Sequence, residues 1–256
     1  MSNQRIAVVT GGLRGIGLAI AKALVETGAR VAVGSRQAGD FEADRDARLT
    51  LGDHGLVAPL DVTSVQSIES FLVRVREALG ELDILVNCAG VSTHHVVEGH
   101  PDADWEQVID TNLSGPFRMI RACIPAMKQR GWGRIVNIAS TAARNAQPTH
   151  AAYCASKTGL VGLTRAVAME GGPHGVTCVA VSPTWVETEM LRQSARTMAQ
   201  SSGRTDEEII REMAKSNPQD RLVQPEEIGA LVAFCCSDAA AGLTMEDIQV
   251  NAGAWW

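Results

Sequence analysis

The feature that most constrains this chain is a short apolar run, Ile6-Ala7-Val8-Val9, that stops at Thr10-Gly11-Gly12-Leu13-Arg14-Gly15-Ile16-Gly17 and passes directly into an amphipathic helical pattern. A strand, a glycine turn and a helix in that order make a receptor for phosphate groups. Glycines let backbone approach a ligand closely, and the helix N-terminus presents free N–H groups with a partial positive charge. The spacing is G-x-x-x-G-x-G, which differs from the more widespread G-x-G-x-x-G.

Short β-rich runs then alternate with helical patterns. Strands are predicted over 6–9, 31–33, 56–60, 84–86, 134–138, 177–181 and 248–250. Seven strands with helices between them imply an α/β fold, a doubly wound parallel sheet in a single domain over 1–256. The apolar period changes to 3.6 at Ile16, Ile20, Ala23 and Leu24, and again at Ile68, Leu72, Val75 and Leu79, with Gly28 and Gly80 closing those helices. Pro59 places the third strand at a sheet edge, where a missing N–H is tolerated. The segment 185–220 breaks the alternation. It is polar, rich in Ser, Arg, Gln and Met, and reads as helical without a strong apolar face, either a lid over one end of the sheet or a solvated helix pair.

Composition removes other classes. The 256 residues carry a formal net charge of −6 and no basic run, which argues against a nucleic-acid partner. No apolar stretch approaches the roughly 20 residues that span a bilayer, and residues 1–5 carry no export signal, so no membrane association and a cytoplasmic location are expected. The cysteines, at 88, 123, 154, 178, 235 and 236, lie in apolar segments without C-x-x-C spacing and are read as reduced thiols. His94-His95 lacks companions at metal-ligand spacing, so no metal site is expected and the pair is assigned to loop surface.

Four further positions carry chemistry. Tyr153 is the only tyrosine, and Lys157 stands one helical turn later on the same face, a cation beside a phenol. A free phenol titrates near about 10, so acid–base work near neutrality needs the phenolate stabilised by such a cation. Ser140 follows the fifth strand, at the strand ends where open α/β sheets bind ligands. Asn112 is a polar residue inside the helical stretch 105–127, between Ile109 and Leu113.

Taken in order with Asn87-Cys88-Ala89-Gly90 and the glycine loop, these motifs resemble the short-chain dehydrogenases/reductases over nearly the whole chain. The resemblance implies a Rossmann-type domain that moves hydride between a nicotinamide and a carbonyl or secondary alcohol. It implies that Tyr153 is the general acid in reduction, that Lys157 lowers its pKa and binds the nicotinamide ribose, that Ser140 holds the substrate oxygen, and that Asn112 serves a water-borne proton relay. It places Gly11, Arg14, Gly15, Ile16 and Gly17 at the pyrophosphate, Asp61 and Val62 at the adenine, and Asn87, Ala89 and Gly90 along the adenosine ribose. Pro183, Val186 and Thr188 would lie by the nicotinamide. A homo-oligomer, tetramer or dimer, is also implied.

After the second strand the position that often bears an acid for NAD is Ser35, and the next residue is Arg36; with Arg14 this points to NADP(H). Departures from the family pattern are Cys88, Val179, Thr184 in place of a glycine after Pro183, and Ala252-Gly253 in place of a glycine pair. Trp185, Trp255 and Trp256 either line a pocket or form a subunit contact. The phrases around Ser140 and Trp185 are similar to ketoreductases of 3-oxoacyl or polyketide-like thioesters, while small ketones, sugars and cyclic ketones stay open as substrates. An NAD-linked alcohol oxidant and a cofactor sensor without turnover are the alternatives.

Overall fold

The computed structural model describes residues 4–146 and 148–254. The strands β1 (Ile6–Thr10), β2 (Arg30–Ser35), β3 (Leu56–Pro59), β4 (Ile84–Asn87), β5 (Gly133–Ile138), β6 (Val176–Pro183) and β7 (Asp247–Val250) form one sheet in the order β3-β2-β1-β4-β5-β6-β7. Every pairing is parallel. All seven predicted strands are present, and Pro59 is exposed on the edge strand. Their flanks run further than the apolar runs do, because Arg30, Gly34 and Ser35 join the ladder without being apolar.

The helices are α1 (Gly15–Glu26), α2 (Phe41–Leu51), α3 (Val65–Ala78), α4 (Asp102–Ile109), α5 (Gly115–Arg130), α6 (Ala151–Gly171), α7 (Glu189–Ser202), α8 (Asp206–Lys215) and α9 (Pro225–Cys235). Strand side chains alternate between two cores. Ala7, Val9, Val31, Val33 and Val86 pack with Ile20 and Leu24 of α1 and Ile228 and Val232 of α9. Ile6, Val8, Ala32 and Leu85 pack with Ile68, Phe71 and Val75 of α3 and Met119 and Met127 of α5. Covering both faces is why the strands read as continuous apolar runs.

Two expectations are corrected. The stretch 105–127 is not one regular helix: α4 and α5 are joined by a π-helical turn at Asp110–Ser114, which carries the fully buried Asn112. Single π turns widen a helix locally and commonly occur at functional sites. The segment 185–220 does have an apolar face. Leu191 and Ala195 of α7 meet Ile209 and Met213 of α8 and Leu222, a separate small core built from i, i+4 pairs. Its two ends are joined where Val223 N–H donates to the Trp185 carbonyl and Glu187 N–H to the Val223 carbonyl, both at 3.0 Å.

Among the described residues, no helix is long and apolar enough to cross a membrane, and no group of three or more His, Cys, Asp or Glu is placed to hold a metal ion. All six cysteines are free.

Candidate active site

The carboxyl ends of β1, β2, β4, β5 and β6 open into a cleft of about 1120 Å³, with α7 along one side. At its glycine corner the backbone is too close to itself for side chains. A Cβ on Gly17 would lie 2.4 Å from the Gly11 carbonyl oxygen, and one on Gly11 would lie 2.9 Å from Ala89 Cα. Thr10 Oγ1 fixes this corner by accepting from the N–H groups of Cys88 and Ala89, both at 3.0 Å. Helix α1 starts here with no side-chain cap and no acid in its first turn, so its N-terminal N–H groups face the cleft without an internal acceptor. A glycine cradle and an uncapped helix start together fit the pyrophosphate of a dinucleotide.

Around this corner the cleft is lined by Gly11, Arg14, Gly15, Ile16, Gly17, Ser35, Arg36, Asp61, Val62, Ala89 and Gly90, and further along by Ser140, Tyr153, Lys157, Pro183, Val186 and Thr188. Asp61 Oδ1 accepts from Thr63 N–H and Oγ1, at 2.9 and 2.7 Å. Burial raises its pKa, but the Thr63 bonds and the charge of Arg36 outweigh this, and the carboxyl sits below its usual value. Thr188 caps α7 by accepting from Leu191 N–H. The Thr184 hydroxyl is directed to Asn217 Oδ1 at 3.5 Å.

Two sequence-assigned residues do not reach the cleft. Asn87 is buried, and its Nδ2 donates to Asn137 Oδ1 at 2.8 Å, because the β4–β5 register sets the two amides side by side. Asn137 in turn donates to Thr164 Oγ1, so the Asn87 side chain joins a sheet-to-helix latch. Asn112 lies behind Gly90. Its Oδ1 accepts from Val91 N–H at 2.9 Å, while its Nδ2 donates to the Val91 carbonyl at 2.9 Å and to Ser156 Oγ at 3.1 Å.

The reactive corner is formed by β5 and the first turns of α6. Ser140 leaves β5 in an extended conformation, and its Oγ accepts from Ala142 N–H at 3.1 Å. Lys157 is buried, donates from Nζ to the Ile138 carbonyl at 2.8 Å and lies 5.5 Å from the centre of the Tyr153 ring. Burial pushes the Lys157 ammonium down to about 8. The phenol of Tyr153 is not lowered as the sequence reading expects. Burial raises it, and a hydrogen bond with Ser140 pulls the other way. Such a corner offers a protonated phenol, a hydroxyl and a cation to one small polar group.

Of the other cleft residues, the sequence reading passes over His150 and assigns His94 to loop surface. His94 is half-buried on the cleft wall and so is no loop-surface residue, and its ring meets that of His150 edge-to-face, centroids 4.4 Å apart. His95 is directed elsewhere, to Asp104 at 2.7 Å. Trp185 lines the cleft and packs on the α7–α8 core of its own chain, while Trp255 and Trp256 lie outside the described residues. The one signal for His150 was its place three residues before Tyr153.

Comparison with known proteins agrees with this geometry. A family model described as enoyl-(acyl carrier protein) reductase matches residues 11–254. The chain is 37% identical to a D-beta-hydroxybutyrate dehydrogenase of Rhizobium meliloti (strain 1021), covering 97% of this chain and 98% of that protein. It is 38% identical to the 3-oxoacyl-[acyl-carrier-protein] reductase of Escherichia coli (strain K12), over 98% and 97%. A crystal structure of an actinorhodin polyketide ketoreductase variant with NADPH superposes with a TM-score of 0.93 at 36% identity, over 99% of this chain and 98% of the other. The chain belongs to the short-chain dehydrogenase/reductase family, oxidoreductases that use a nicotinamide dinucleotide and act on carbonyl or alcohol groups.

Proposed function

We propose that the protein reduces a ketone, of the 3-oxoacyl thioester class, to a secondary alcohol with NADPH. The observation that carries this is the corner where Tyr153, Ser140 and Lys157 converge on one side of the cleft. When bound, a reduced nicotinamide supplies the hydride. Ser140 holds the substrate oxygen by its hydroxyl, and Tyr153 donates the phenolic proton to that oxygen as the C–H bond forms. A phenol raised by burial is fully protonated at neutral pH, which suits it to reduction. Lys157 sets its ammonium beside the phenolate left behind and holds the nicotinamide ribose. Asn112 acts as a positioning residue through Val91 and Ser156.

Arg14 and Arg36 support NADPH over NADH: both line the cleft, and neither guanidinium has an ion-pair partner among the described residues. Gly11, Gly15, Ile16 and Gly17 would take the pyrophosphate, Asp61 and Val62 the adenine, Ala89 and Gly90 the adenosine ribose, and Pro183, Val186 and Thr188 the nicotinamide end. The α7–α8 pair, hinged at Val186 and Val223, serves as a lid over the substrate. The whole chain works as one domain in a homo-oligomer, to be checked by light scattering at micromolar concentration. Exposed Trp105 and Phe117 on α4 and α5 supply apolar contact surface for it. Free, largely buried thiols accord with a reducing compartment.

The test is the initial rate of NADPH and of NADH oxidation with a 3-oxoacyl thioester, simple ketones, cyclic ketones and keto sugars. Tyr153→Phe is expected to retain NADPH affinity and lose about 10²- to 10⁴-fold in turnover. Preferential turnover of NADH, or an active Phe variant, would overturn the assignment.

A further inference from the structure

We propose that His94, held in place by His150, selects uncharged 1,3-dicarbonyl substrates by donating a hydrogen bond to the second carbonyl oxygen, and that the same site rejects free 3-oxo acids. The inference rests on the ketone reduction proposed above and names the part of the substrate that does not react.

The two histidines lie far apart in sequence and are brought together by the backbone. His95 N–H donates to the Thr149 carbonyl at 3.0 Å, which seats the loop bearing His94 against the residues that open α6. Thr149 takes the left-handed conformation, φ 68°, unusual for a β-branched residue, and so turns His150 toward the cleft. His150 Nδ1 lies 2.9 Å from the Pro148 carbonyl oxygen, an acceptor only, so Nδ1 carries a proton and Nε2 is left as the acceptor in the neutral ring. The His150 ring centroid is 6.5 Å from that of Tyr153, with His94 beyond it. Neither nitrogen of His94 has a hydrogen-bond partner among the described residues, although the ring is half-buried in the wall. The ring nitrogens therefore face the cleft, open to a hydrogen bond with a ligand oxygen.

With the reacting oxygen held by Ser140 and Tyr153, a second carbonyl two carbon atoms along the substrate would be presented to the His94–His150 face beside Tyr153. His94 brings no charge to that face. Burial, and after it the neighbouring His150 and His95, pushes His94 down to about 4, so it is a neutral donor at pH 7. The arginines of the cleft follow β1 and β2. In the observed strand order β1 and β2 are two and three places from β5, or about 10 and 14 Å at the usual strand spacing. Lys157 is committed to the Ile138 carbonyl and the phenol. Glu189 is the charged lid residue among those on the wall. It is negative and is paired outward to the exposed Arg196. A carboxylate at the His94 position would be desolvated with no permanent cation to receive it.

The test compares three ketones with NADPH as cofactor: ethyl acetoacetate, which keeps the second carbonyl and no charge; acetoacetate, which replaces it by a carboxylate; and 2-pentanone, which has neither. Ethyl acetoacetate is expected to exceed acetoacetate by at least about 100-fold in kcat/KM. His94→Phe is expected to raise KM for ethyl acetoacetate about 10-fold with kcat unchanged, and to leave 2-pentanone unaffected; His94→Gln, which restores a donor, recovers the low KM. Equal use of ester and acid, or a Phe variant that lowers all three substrates alike, overturns the role of His94 while ketone reduction stands. Absence of turnover with every ketone overturns the ketone reduction itself and this inference with it.

Discussion

Lys157 Nζ donates to the Ile138 carbonyl oxygen at 2.8 Å, so the helix that carries Tyr153 is bound to the strand that delivers Ser140 two residues later. The bond orients the ammonium, but burial still weakens its hold on the proton, to about pH 8.

A pH dependence follows. Below about 8 Lys157 is charged and stabilises the phenolate that Tyr153 becomes; above it the amine is neutral and that help is gone. The Tyr153 phenol, raised by burial, keeps its proton through this window, so the loss belongs to the lysine. Since kcat/KM reports groups of the free enzyme, its value for ketone reduction should fall tenfold per pH unit above about 8. A profile level to pH 10 would remove the charge of Lys157 from the step.

Arg36 stands one residue after β2, exposed on the cleft wall, and its charge already reaches Asp61. If it receives a 2′-phosphate, Arg36→Asp loses a charge-assisted bond of about 1.5–3 kcal/mol and adds a like charge. Fluorescence titration should show NADPH affinity falling at least about 10-fold, with NADH affinity unchanged or improved. Unchanged NADPH binding would support the NAD-linked reading instead.

The strands were legible because burial on both faces leaves an unbroken apolar run, and Tyr153 and Lys157 because helical spacing is local. The direction of the Asn87 side chain was not legible, because the side that a strand-end amide takes depends on the β4–β5 register, which sets it against Asn137. His94 was read as loop surface because its partner His150 reaches it only through the bridge between His95 and His150. The α7–α8 core was missed because Ala195 and Met213 supply much of it, and neither stands out in a segment rich in Ser, Arg and Gln.

Asn112 has no exposed surface and, from its π turn, satisfies the buried Ser156 hydroxyl and the partly buried N–H and carbonyl of Val91. Asn112→Ala would leave the Val91 N–H and carbonyl without side-chain partners next to Gly90. At about 1–3 kcal/mol for a fully buried polar group left unsatisfied, and less for these partly buried ones, urea unfolding should show a loss of about 1–3 kcal/mol. Turnover should fall as well, because Asn112 Oδ1 and Lys157 Nζ border the same space beside Gly90, 3.5 and 3.7 Å from where a Cβ on that glycine would stand. A variant of undiminished stability would show that these bonds are replaced by water.

Ala252 takes φ 48° where the family often carries glycine, while the next residue, Gly253, takes φ 83°. The turn is useful, since Gln219 N–H donates to the Ala252 carbonyl and ties the segment after α8 to the end of β7. An alanine in the left-handed region costs about 1–2 kcal/mol, and glycine returns about 0.5–1 kcal/mol of that as extra freedom of the unfolded chain. Ala252→Gly is therefore expected to stabilise the fold by up to about 1 kcal/mol, a rise of a few degrees, about 2–4 °C at most, in Tm. Gly253→Ala runs the opposite way: its Cβ would enter the same strained region and lie 3.2 Å from Pro218 Cβ, so its Tm should fall. If both changes lower Tm, the turn is limited by packing around residue 252 and not by its backbone conformation.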